Sequence, residues 1–278
     1  MRASRLGAWR ALAAAGTAAT LWAAAGCGGP QVRHPVDLKE HMVRVPAGEF
    51  ITGRDSLGAD DERPARRVWL DEYAIDRVEA TNAEFKAFVD ARGMVAPNNP
   101  AWDMNYYLGK PAAPVVNITW EQANAFCRWR GKRLPTEAEW EKAARGTDGR
   151  LYPWGNTWTD SIANVWHNDR FERAAPVGSF PAGACPFGVF DMAGNVWEWC
   201  ADWFLPQYYA TAPPRNPAGP KGPTPFRAVR GGSFTSPKSD AEIPNRSKSP
   251  PGDTLHHLGC RCAWSAHDPT APADPKRH

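Results

Sequence analysis

A chain that places 27 prolines and 24 glycines among 278 residues interrupts its own hydrogen-bond ladders too often for long helices or wide sheets. Its 14 tryptophans supply anchors, because each large ring buries enough apolar area to pin an irregular segment. Sparse regular structure, many turns and long ordered loops are therefore expected. Three segments nevertheless carry helix starts with capping-box spacing: Thr81 to Glu84, Thr119 to Gln122 and Thr136 to Glu139. With Gly93, Gly131 and Gly146 as stops, they predict helices over about 82–92, up to 131 and up to about 146. Alternation of apolar and polar residues predicts strands over Met42 to Gly53 and Arg67 to Val78, and short apolar pieces over Ala228 to Phe234 and Leu258 to Trp264 add two more. Val95 to Pro114 reads as an ordered loop held by Trp102, Tyr106 and Tyr107, and Pro213 to Pro225 as a loop or insertion. The sum is an α+β domain with its helices early and its short strands late.

Residues 1–27 read as an export signal, with Arg2, Arg5 and Arg10 ahead of an apolar stretch from Ala11 to Ala25 that is too short to span a bilayer comfortably. Ala24-Ala25-Gly26-Cys27 resembles a bacterial lipobox, although leucine is more usual where Ala24 stands. Cys27 would then be the lipidated first residue of the mature chain, held at a membrane surface by its acyl chains. The alternative is a plain cleaved signal with Cys27 as an incidental thiol. Residues 28–41 form a polar tether, residues 42–266 a single domain and residues 267–278 a tail. A net charge of +3, from 33 basic and 30 acidic residues, gives no electrostatic case for nucleic acid. Five further cysteines, Cys127, Cys185, Cys200, Cys260 and Cys262, lie in a chain expected in an oxidising compartment, and their odd number leaves at least one unpaired.

The richest segment chemically runs from Asp191 to Trp199, where two carboxylates flank Gly194 among large aromatics. Such spacing suits calcium, which takes six to eight oxygens from carboxylates and carbonyls. The same residues would also serve as a turn with one capping Asp, one solvated Glu and two core tryptophans.

Gly131 to Glu141, Asp191 to Trp199 and Arg230 to Phe234 closely resemble motifs of the formylglycine-generating enzyme (sulfatase-modifying factor) family, in the family's order. Further matches are Val45 to Phe50, Ile75 to Phe88, Tyr152 to Asn156 and Leu258 to Ala263, so the resemblance covers about 42–266. It implies an irregular, C-type-lectin-related formylglycine-generating-enzyme fold of low secondary-structure content, stiffened by calcium. By resemblance, one calcium falls to Asp191, Gly194, Val196 and Glu198, and a second to Asn164, the carbonyl of Val165, Asp169 and the carbonyl of Phe171. A disulfide carries over to Cys127 and Cys262. Cys185 and Cys200 flank the calcium run and could pair with each other; Cys260 stands where the family commonly has Phe, and that resemblance makes it the candidate for the odd thiol, buried and inert unless a base lowers its pKa. Trp197, Ser233 and Arg261 match positions that build a groove for an extended peptide, and His257 replaces a family asparagine beside it.

One departure bears on function. Active members resemble one another in two cysteines, five residues apart, that bind copper(I) after the Gly-Gly-Ser-aromatic motif, and soft thiolates are what that ion requires. Ser236 and Ala241 stand there instead, with no thiol between Cys200 and Cys260, so copper is not expected. Ser236 has no identifiable base, which leaves it a loop serine rather than a nucleophile. A histidine metal site from His256, His257, Asp240 or Glu242 is disfavoured, because adjacent histidines on an extended segment point to opposite sides.

Three readings of function follow. The favoured one is a non-copper binding or accessory module that holds a peptide, glycan or envelope protein partner at the cell envelope through its lipid anchor, on the periplasmic or extracellular face. The second is an oxidoreductase-type enzyme of the family with altered catalytic residues, in peptide or siderophore maturation or formylglycine generation. The third is a structural component of an envelope assembly.

Overall fold

The computed structural model describes residues 41–167 and 170–268. The expected signal segment with Cys27, nearly all of the tether, Asp169 and the tail beyond 268 lie outside the described residues. Among the described residues no helix is long and apolar enough to cross a membrane.

The three capped helices form where their caps are: α1 over Asn82–Arg92, α3 over Trp120–Trp129 and α4 over Glu137–Arg145. Each has a reciprocal capping box, from Thr81 with Glu84, Thr119 with Gln122 and Thr136 with Glu139. Gly93 ends α1 in the left-handed region at φ 60°. Two single-turn helices, α2 at Tyr106–Gly109 and α5 at Tyr208–Thr211, sit inside otherwise irregular stretches.

Each of the two long alternating segments is two strands rather than one. Met42 to Gly53 splits into β1 (Met42–Val45) and β2 (Gly48–Thr52), and Arg67 to Val78 into β3 (Arg66–Leu70) and β4 (Tyr73–Asp76). The halves go to different sheets: β1 pairs antiparallel with β4, and β2 with β3. The first break falls at Pro46, which has no amide to give a ladder, and Lys142 of α4 satisfies the freed carbonyls of Pro46 and Gly48 at 2.8 and 2.9 Å.

The longest strand, β5 (Trp197–Trp203), arises from the run that reads as a turn. With β6 (Arg227–Arg230), β7 (Ser247–Ser249) and β8 (Leu258–Gly259) it forms a four-stranded sheet in the order β7-β6-β5-β8. β8 runs parallel to β5, and β9 (Ala263–Trp264) crosses to the first sheet beside β4.

The main core lies between strands β1 to β4 and α4, where Val45, Phe50, Ile75, Trp140 and Ala143 are fully buried. A second cluster packs Phe85 and Phe88 of α1 on Phe126 of α3 and on Trp199 of β5. α4 is buried along its whole length, charged residues included. Those charges survive because each has a partner: Glu139 takes both Arg133 guanidinium nitrogens at 2.6 Å, and Glu137 accepts from Arg230 and twice from Arg246, each at 2.8 Å.

Cys127 on α3 is bonded to Cys262, closing a loop of 135 residues. Cys185 and Cys200, whose pairing the sequence leaves open, are not bonded to each other. Cys185 turns its sulfur toward the Val189 amide at 3.3 Å within a tight turn, while Cys200 is fixed in β5. Cys260 is free and completely buried, and burial pushes its thiol far above the usual range, which makes it inert.

Candidate functional site

The segment 191–196 turns on residues in the left-handed region, Asp191 at φ 58°, Gly194 at 90° and Asn195 at 64°. Gly194 is required twice over, since a Cβ there would meet the Asn164 carbonyl oxygen at 2.3 Å. That carbonyl accepts the Asn195 amide at 2.7 Å, and the Gly194 amide donates to the Gly231 carbonyl at 2.7 Å. The Phe234 amide returns to the Asn195 carbonyl at 2.9 Å, so the Gly-Gly-Ser-Phe motif and this turn are stitched together.

Two residues outside the expected ligand set organise the interior of the turn. The Asn195 side chain donates to Glu79 at 2.7 Å and accepts from the Ala175 amide at 2.9 Å and from the Asn164 side chain at 3.1 Å. The two expected ligand groups, one around Asn164 and one around Asp191, are thereby joined in one buried polar network. Glu79 lies against Asp191; burial raises both above the usual carboxylate range, with Asp191 and Glu198 repelling Glu79 and Glu198 repelling Asp191, while a hydrogen bond with Glu79 lowers Asp191 in part. Asp191 also accepts the Gly178 amide at 2.5 Å. Glu79 Oε2 and Asn164 Oδ1 are buried acceptors with no donor among the described residues. Two crowded carboxylates and two orphan oxygens are a donor set that suits a hard cation. A Glu at position 79, between Val78 and Ala80 in a family-matching segment, was the available signal for its role.

Glu198 on β5 is engaged differently. Its Oε2 accepts from Trp140 at 2.8 Å and Arg261 at 2.7 Å, and its Oε1 accepts from Arg261 at 2.6 Å. Only Oε1 keeps a lone pair to spare. Val165 is buried beside Gly194, and the Phe171 ring packs on Phe180 at 5.8 Å.

Of the expected groove residues, Ser233 and Arg261 are fully buried, while Trp197 and His257 are half-buried. Arg261 braces the interior, donating to Glu198 and to the carbonyls of Asp76 at 3.2 Å and Phe190 at 3.1 Å. Ser233 hydrogen-bonds Thr235 at 2.9 Å and Ser236 at 3.3 Å. Beyond Ser236 lies Asp240, whose carboxyl burial raises and whose hydrogen bonds from Ser236 and Ser239 lower it in part. Ser236 thus has a hydroxyl and a carboxyl as partners and no imidazole. Ala241 is fully buried, its methyl packed with Ala163, Val165 and Ala193.

The expectation that His256 and His257 diverge is wrong. They occupy the two central positions of a turn closed by the Leu258 amide on the Leu255 carbonyl at 3.1 Å, so the strand rule of alternating sides does not apply. His257 Nδ1 lies 3.5 Å from His256 Nε2.

Residues 30–266 match the model of the sulfatase-modifying factor enzyme 1-like domain. The chain is 38% identical to the formylglycine-generating enzyme of Streptomyces coelicolor, over 81% of this chain and 89% of that protein. It is 33% identical to the inactive C-alpha-formylglycine-generating enzyme 2 of Mus musculus, over 82% of this chain and 87% of the relative. Among solved structures, PvdO from Pseudomonas aeruginosa superposes with a TM-score of 0.68 at 29% identity, over 80% of this chain and 93% of PvdO.

Proposed function

The chain belongs to the sulfatase-modifying factor family, and on that premise we propose that it is a non-copper accessory module, exported and lipid-anchored through Cys27, that holds a peptide, glycan or envelope partner. The observation that carries this reading is the chemistry at 236 and 241. A serine hydroxyl committed to Ser233 and Asp240, and a methyl closed into an apolar cluster, supply no thiolate for copper(I). The three free cysteines among the described residues are all buried, so none is presented as a substitute ligand. A relative whose name calls it inactive supports a family in which this frame persists without oxidase chemistry.

Calcium belongs to the same proposal. Asp191, the carbonyls of Gly194 and Val196 and the spare lone pair of Glu198 Oε1 would hold one ion, and Asn164, Val165, Asp169 and Phe171 a second. Glu79 adds an acceptor that sequence reasoning did not include. The ion would supply neutralising charge and stiffness; no step of chemistry is assigned to it. Trp197 and His257 would form the surface of the binding groove, with Ser233 and Arg261 setting its floor.

The test is to measure copper(I) binding by the purified protein, together with oxidation of a cysteine-containing peptide under air. Neither tight stoichiometric copper(I) binding nor turnover is expected. Both together would overturn the reading, and an aldehyde product formed without copper would establish an enzyme of altered chemistry in its place.

A further inference from the structure

The turn that carries His256 and His257 is held from both sides. The His257 carbonyl accepts the Trp197 amide at 2.8 Å, and the Leu255 carbonyl accepts the Asn117 amide at 3.1 Å. The two rings meet edge to face, with centroids 4.7 Å apart and planes at 88°. His256 also rests on the Phe234 ring at 6.3 Å, and Phe234 in turn on Trp102 at 5.9 Å. Aromatic packing and turn closure thus fix two imidazoles on one side of the chain.

The separation of the ring nitrogens identifies what the pair is suited to. An N–H to N hydrogen bond has its optimum near about 2.9–3.0 Å, well inside the observed 3.5 Å. Two imidazole nitrogens on one tetrahedral ion, each about 2.0–2.1 Å from it, lie about 3.3–3.4 Å apart. The observed distance is within a small ring rotation of that bite. We propose that His256 and His257 form a two-imidazole chelate for a divalent transition ion of near-tetrahedral preference, zinc(II) foremost, with copper(II) as its spectroscopic stand-in.

Imidazole suits these ions, whereas calcium and magnesium prefer oxygen. His257 is kept neutral, its pKa pushed down to about 4 by burial and by His256, so its lone pair is free for a metal at neutral pH. Among the described residues no third His, Cys, Asp or Glu joins His256 and His257 in a metal-binding group, so the protein supplies two ligands here. His256 is exposed, and the remaining coordination positions open to solvent or to a ligand arriving beside Trp197. The site is separate in chemistry from a copper(I) dithiolate and stands whether or not the chain is an accessory module.

Titration of the full chain with copper(II) chloride, followed by tryptophan fluorescence and by electron paramagnetic resonance, tests it. One copper(II) ion should bind with the signature of two imidazole nitrogens, and zinc(II) in large excess should compete for it. His256→Gln and His257→Asn should each weaken binding by about tenfold or more, with thermal unfolding unchanged, while His167→Gln should leave it unaltered. If either His256→Gln or His257→Asn binds as tightly as the parent, or if the spectrum shows fewer than two imidazoles, the chelate does not exist.

Discussion

Glu137 holds two arginines at once from a completely buried position, and this sets a pH dependence. Burial alone would raise its pKa, but Arg246 and Arg230 outweigh it and bring the carboxyl down to about 2. A carboxylate whose folded pKa lies below its unfolded value contributes stability that is present above the unfolded pKa, near 4.5, and lost as pH falls toward 2. The contribution is roughly 3 kcal/mol at neutral pH. Glu137→Gln keeps the shape but leaves Arg230 and Arg246 buried without their anion, at a cost of about 3–5 kcal/mol. Urea unfolding of both proteins from pH 7 to pH 2.5 should show that difference narrowing below pH 4.5; a constant gap would mean that Glu137 is not the titrating partner. The same scale explains what sequence reading reached and what it missed. Asp191 and Gly194 stand out in a short run because their spacing is local. Glu79 and Asn195 do not, since their roles exist only once residues 79, 164 and 195 are folded against one another.

Helices of this chain were legible element by element because a capping box is written within four residues. Strands were not. Alternation continues through Pro46, so Met42 to Gly53 reads as one strand although its halves belong to different sheets, and sheet membership is a long-range property. β5 escaped for the opposite reason: as an inner strand of its sheet it is buried at Glu198, Trp199 and Cys200 in succession, which erases the period of two. Its Glu198 looks like a surface residue until Arg261, 63 positions later, is brought to it. The caps also rank in a testable way. Thr136 is almost fully buried and Thr81 is not, so removing the Thr136 hydroxyl strands the Glu139 amide away from water, whereas the Glu84 amide can be hydrated. Thr136→Ala should cost about 2 kcal/mol and Thr81→Ala about 1 kcal/mol or less. Equal losses in denaturant unfolding would show that burial of α4 does not amplify its cap.

At the scale of the whole domain, little regular structure has to be held by long-range ties. One is the Cys127–Cys262 bond, which fastens α3 to the segment that enters the first sheet at β9. In the chain-entropy account a loop of 135 residues makes that bond worth about 5 kcal/mol, so Cys127→Ala with Cys262→Ala should unfold at much lower urea. A shift under about 1 kcal/mol would mean that packing alone holds the halves together. The second tie is the proposed calcium. The turn at 191–196 bonds to the Gly-Gly-Ser-Phe motif, to the Asn164 loop and, through Glu79, to the segment after β4, so an ion there would stiffen three distant parts of the chain together. At a hundred times its dissociation constant a bound ion adds about 2.7 kcal/mol. For a domain of this size that is about 5–10 °C in melting temperature. Glu79→Gln distinguishes this from a nonspecific salt effect. With chelator present it should melt no lower than the parent, because it relieves the crowding with Asp191, while in calcium it should lose most of the gain. Melting curves of the parent that coincide in calcium and in chelator would remove calcium from the account and leave the buried Glu79 and Asp191 pair to be explained by a shared proton.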